Sequence, residues 1–110
     1  MENIKKLASE IKVLSNEMFQ KRKVILDYIF KKVKEDIGRT LEYDDYAIVD
    51  DDRFYFCDTK RQIFFAITPD LYDYAVEADY SDIPSDDDEA GQKLEDDCEY
   101  LNRLLKEICE

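Results

Sequence analysis

The sequence predicts an α+β fold in the order α-β-β-β-α-α: a long N-terminal helix, a three-stranded antiparallel β-meander, a short helix and a C-terminal helix. Three observations predict it. Apolar residues recur with a helical period through the first third of the chain, short β-branched and aromatic runs follow Gly38, and a second helical stripe of leucines closes the sequence. A length of 110 residues fits one domain over 1–110, with a long helix at 2–37, the meander at 43–68 and an acidic helical region at 69–110.

The first helix rests on Ile4, Leu7, Ile11, Leu14 and Met18, whose 3-4-3-4 spacing is continued with drift by Ile25, Ile29 and Val33. Gly38 stands where a left-handed residue ends a helix, and Lys31, Lys32 and Lys34 suit the negative end of the helix dipole. Thirty-six straight residues would reach ~54 Å. A compact chain of this length has a radius of gyration of ~13 Å. The helix must therefore project, pair with a second chain, or break at Ser15-Asn16, where either residue could cap a new helix. The favoured reading is a continuous helix.

Tyr46–Val49, Arg53–Cys57 and Gln62–Ile67 read as the three strands, separated by the turn-prone runs Asp50–Asp52 and Asp58–Arg61. Phe54 and Phe56 would share one face, as would Ile63, Phe65 and Ile67, while apolar residues at alternate positions imply that both faces are partly covered. Residues 69–79 are ambiguous. Tyr72, Tyr74, Val76, Ala78 and Tyr80 alternate like a strand, yet Thr68, Pro69 and Asp70 are three start signals of a helix, and these favour a short helix. The last helix follows from Leu94, Cys98, Leu101, Leu105 and Ile108 on one stripe.

Composition narrows the function. The apolar fraction of 45%, with eight tyrosines and six phenylalanines, is enough for a core. No apolar run approaches the ~18 residues of a membrane span, and the N-terminus alternates charge and aliphatics unlike a signal peptide, so a cytoplasmic protein is expected. Cys57, Cys98 and Cys109 are too few and too irregular for a disulfide framework and read as small buried hydrophobes. There is no histidine, no glycine-rich phosphate loop and no Ser or Cys in a nucleophile context. The expectation is a protein that is not an enzyme and holds no cofactor or metal. Residues 86–97 imitate a calcium loop at Asp86, Asp88 and Gly91, but Ala90 offers no side-chain oxygen and Asp97 stands where a bidentate Glu belongs.

The net charge of −12 is unevenly spread. Residues 1–40 hold ten Lys/Arg against six Asp/Glu, whereas residues 41–110 hold six against 22. The densest stretch, Pro84–Tyr100, has eight carboxylates and Lys93 alone. Ser85 and Asp88 match a capping box, with Asp86–Asp88 in the positive first turn. Capping does not account for Glu95, Asp96, Asp97 and Glu99. On a helix Asp88, Glu89, Glu95, Asp96 and Glu99 fall opposite the leucine stripe, without the lysines that a solvated face usually interleaves. The candidate partner-binding surface is therefore Asp50, Asp51, Asp52, Asp86, Asp87, Asp88, Glu89, Glu95, Asp96 and Glu99. Tyr43, Tyr46, Tyr72, Tyr74, Tyr80 and Tyr100 either add contact area to it or pack at the core's edge.

Carboxylates ~5–6 Å apart on a helix can imitate a phosphate track. The expected function is a nucleic-acid mimic that blocks the basic channel of a nuclease or other DNA/RNA-binding protein. Charge, size and topology, without any motif, are analogous to phage-encoded inhibitors of restriction and CRISPR nucleases. The alternative is an immunity protein or acidic chaperone that binds a basic toxin or secreted cargo. Direct nucleic-acid binding by Lys5, Lys6, Lys12, Lys23, Lys31 and Lys34 is disfavoured by the interspersed Glu10, Glu17, Glu35 and Asp36 and by the acidic remainder. The stripe of Ile4, Leu7, Ile11, Leu14, Met18 and Ile25 is expected to mediate homodimerisation, with Arg22 either snorkelling or pairing with a carboxylate across that interface.

Overall fold

A computed structural model describes residues 1–44 and 52–110. Helix α1 (Glu2–Ile37) leads into strands β1 (Leu41–Tyr43), β2 (Phe54–Asp58), β3 (Ile63–Ile67) and β4 (Tyr74–Ala78), and helix α2 (Asp88–Cys109) ends the chain. The strands form one antiparallel sheet in the order β1-β2-β3-β4. The fold is α+β as expected, with two helices and four described strands in place of three helices and three strands.

α1 is continuous through Ser15-Asn16. Gly38 ends it in the left-handed region, φ 71°, and donates its N–H to Lys34 O at 3.1 Å. Only the C-terminal part packs: Ile29 and Val33 are buried, with Ile25, Leu26, Phe30 and Ile37 beside them. Residues 1–21 are exposed throughout, and the molecule measures 68 × 27 × 21 Å. The helix does not break, and its N-terminal part extends beyond the packed region of this chain.

The sheet turns Leu41, Phe56, Ile63, Phe65 and Ile67 toward the helices. Cross-strand pairs Phe56↔Phe65 and Ile67↔Tyr74 keep these positions on one face. Phe56 is central: it stacks on Phe65 at 4.9 Å and meets Phe30 and Tyr43 edge-on at 5.6 and 5.7 Å. Leu94, Leu101, Leu104 and Leu105 of α2 complete the core. On the opposite face Cys57 and Ala66 are also buried, in keeping with the expectation that both faces are partly covered.

One expectation needs correcting, and another lies outside the described residues. The predicted strand Tyr46–Val49 lies outside the described residues, and β1 sits earlier, at Leu41–Tyr43, pairing Leu41↔Asp58 and Tyr43↔Phe56. Three residues are too few to show a period in the sequence. The predicted helix over 69–79 is instead a turn followed by β4. Its start signals act locally: Thr68 Oγ1 accepts the N–H groups of Tyr72 and Asp73, each at 2.9 Å, and Asp70 Oδ1 accepts that of Tyr72 at 3.2 Å. Leu71 takes φ 60°, which no right-handed helix tolerates. Tyr74, Val76 and Ala78 then pair with Ile67, Phe65 and Ile63.

Candidate functional site

The acidic face is built on α2. Asp87 is the N-cap, its Oδ1 accepting the Ala90 N–H at 3.1 Å, so the cap lies two residues beyond the expected Ser85 and Asp86 precedes the helix. Asp88 and Glu89 occupy the positive first turn. Asp52, Asp86, Asp87, Asp88, Glu89, Glu95, Asp96 and Glu99 are all exposed. Asp50 and Asp51 lie outside the described residues.

Among the described residues, ion pairs involve Glu35, Asp36, Asp44, Asp58, Asp73 and Asp97. The α2 face takes part in none of them. Asp96 accepts a hydrogen bond from Gln92 at 3.0 Å, and Arg103, one turn beyond Glu99, does not reach it as an ion pair. Lys93 turns away, lining a cleft beside Arg39 and Lys60. Among the described residues no cation therefore pairs with this face.

Neighbouring groups register that field. The Tyr80 hydroxyl is pushed up by burial and by the charges of Glu95 and Glu99. The Cys98 thiol is pushed up by burial, then by Glu99, Glu77 and Glu95 against the opposing pull of Arg39. Carboxylates from β4 and two turns of α2 therefore converge around Tyr80 and Cys98. A raised thiol pKa keeps Cys98 protonated, a small hydrophobe rather than a nucleophile. Among the described residues no three His, Cys, Asp or Glu side chains are arranged to hold a metal ion.

The sequence reading missed a buried charge network. Arg39, immediately after Gly38, donates from Nε to Asp97 Oδ2 at 2.8 Å and from Nη1 to Asp58 Oδ2 at 2.7 Å and Gln62 Oε1 at 3.2 Å. The side chains of Arg39, Asp58 and Asp97 are only 11, 2 and 9% exposed. Asp58 Oδ1 also accepts the N–H groups of Gln62 and Ile63, at 2.7 and 3.0 Å. Asp97 therefore belongs to the core and not to the acidic face. Its position gave a signal: it lies three residues after Leu94 and four before Leu101, on the buried stripe itself.

The candidate oligomerisation residues divide. Ile4, Leu7, Ile11, Leu14 and Met18 are 64, 54, 65, 64 and 46% exposed. Ile25 packs against the chain's own core. Arg22 is also engaged within the chain, Nη1 donating to Pro69 O at 3.2 Å while the guanidinium lies 4.8 Å from the centre of the Phe54 ring. Within the chain its partners are a carbonyl and an aromatic face.

No helix among the described residues is long and apolar enough to cross a membrane. Comparisons with protein-family models, curated proteins and solved structures found no match to this chain. The fold class is α+β, and the function is argued from the site alone.

Proposed function

We propose that the chain is a stoichiometric binding protein whose acidic α2 face occupies a basic, nucleic-acid-binding channel and competes there with DNA or RNA. One observation carries this reading: Asp88, Glu89, Glu95, Asp96 and Glu99 are exposed on one helix and none is ion-paired, whereas Glu35, Asp36, Asp44, Asp58, Asp73 and Asp97 are. Holding like charges at helical spacing costs a few tenths of a kcal/mol per pair. A cationic channel would relieve that cost and release the counterions of both surfaces.

The test is competition. Basic nucleases and DNA-binding proteins, each holding a labelled duplex, are titrated with the protein and followed by fluorescence anisotropy. The duplex should be displaced from the true target, with an apparent affinity that falls steeply between 50 and 300 mM salt, on the order of tenfold or more. Replacing Asp88, Glu95, Asp96 and Glu99 together by Lys should abolish displacement and leave the circular dichroism spectrum unchanged. If that variant competes as well as the original, the acidic face is not the binding surface.

A further inference from the structure

The exposed stripe on α1 is the surface that the acidic-face reading leaves unused. Ile4, Leu7, Ile11, Leu14 and Met18 lie on the same side of the helix as Ile25, Ile29 and Val33, which the chain buries against its own sheet. The stripe does not end at solvent. It runs into a groove of about 440 Å³, lined by Leu14, Met18, Arg22 and Ile25 on one side and Pro69 and Leu71 on the other. Five large side chains and the groove offer on the order of 600 Å² per copy, approaching the ~800 Å² per partner of a stable interface and at the upper end of the patches that monomers leave exposed.

Charge decides the direction in which a second copy lies on the stripe. Residues 1–24 carry six Lys/Arg and three Asp/Glu, whereas residues 41–110 carry six and 22. We infer that the stripe is covered by the same helix of a second copy, running antiparallel, so that the two acidic bodies stand at opposite ends of the pair and the tip of each arm enters the other copy's groove. Ile11 then faces the partner's Leu14, and Leu7 faces the partner's Met18, in alternating layers of an antiparallel coiled coil. A parallel pair would seal the same stripe but bring two bodies of strong like charge side by side. The edges oppose the antiparallel arrangement slightly, since Glu10 comes near the partner's Glu17. That repulsion is between exposed carboxylates and is screened by solvent and salt. It is small beside the repulsion of two anionic bodies. The parallel alternative would gain a Glu17 contact with the partner's Arg22, but Arg22 is already held by Pro69 O and Phe54.

Sedimentation velocity of the full chain at 10 μM should return twice the chain mass of 13.1 kDa. The double variant Leu7→Lys, Leu14→Lys should return a single mass with unchanged circular dichroism, because neither side chain belongs to the core. A single mass for the unaltered protein overturns the inference and assigns the stripe to a different partner. Direction is read by cross-linking, with Cys98 and Cys109 replaced by Ser. Asn3→Cys and Asp70→Cys chains, mixed under mild oxidation, should form a disulfide with each other. Self-linked Asn3→Cys chains in preference to the mixed product would overturn the antiparallel arrangement. The acidic-face Lys variant should still dimerise, so failure of either reading is distinguishable from failure of the other.

Discussion

Arg39 is enclosed by two carboxylates and an amide, and its chemistry suits that place better than lysine's. The planar guanidinium presents separate N–H groups to Asp97 and to Asp58, in fixed directions, from one side chain. The network joins the end of α1, the β2–β3 turn and the middle of α2. Removing the cation would strand two buried carboxylates, a loss of about 3–5 kcal/mol by the general cost of breaking a buried pair. Arg39→Met should therefore be far less stable in urea denaturation than Asp97→Asn, which leaves Arg39 with Asp58. Equal stability of Arg39→Met and the original chain would show that the network contributes nothing net. A second tie joins the helices: Tyr100 donates its hydroxyl to Asp36, and burial followed by that carboxylate pushes the phenol up to about 12.

At the scale of elements, the β3–β4 turn shows why one segment misled. Thr68, Pro69 and Asp70 offer the hydroxyl, the fixed φ and the carboxylate that open a helix, and the same three groups can close a tight turn. What separates the outcomes is the next residue's backbone and the vacant edge of β3, and neither is local information. The alternation of Tyr74, Val76 and Ala78 was the better guide because it reports the face that must be buried. Thr68→Val keeps the shape but removes the acceptor for two backbone N–H groups. These bonds are exposed, so the change should cost about 0.5–1.5 kcal/mol in thermal denaturation, with Thr68→Ser close to the original. If Val and Ser are equivalent, the hydroxyl does not hold the turn. The long helices were legible for the opposite reason. Their stripes extend over several turns, so a single exception such as Arg22 does not obscure the period. The outward direction of Glu95, Asp96 and Glu99 was legible from the same geometry, and so was the inward position of Asp97, whereas its pairing depended on Arg39, 58 residues away.

For the whole molecule, a charge of −12 acts on stability as well as on recognition. The unpaired carboxylates of α2 repel one another through solvent, where salt screens them, while the Arg39 network is shielded from solvent and screened much less. Raising NaCl from 10 to 500 mM should therefore raise Tm by several degrees, the repulsive surface contribution being lost first. A Tm that falls with salt would mean that attractive surface pairs outweigh the repulsion. Net charge and its skew between the two parts of the chain were plain in the sequence. The separation of charges into a repulsive exterior and a satisfied interior was not, because composition does not say which carboxylates meet an arginine.

The projecting end of α1 also acts as a lever. About twenty residues extend past the packed region, roughly 30 Å at 1.5 Å per residue. A tilt of 10° at the base moves Ile4 by about 5 Å, a full turn of helix. The base is set by Ile29 and Val33 in the core and by the left-handed Gly38 that passes the chain to Arg39. Those residues touch nothing near the tip, yet they aim it. A small change of volume at Val33 would redirect the arm without altering any residue on its surface.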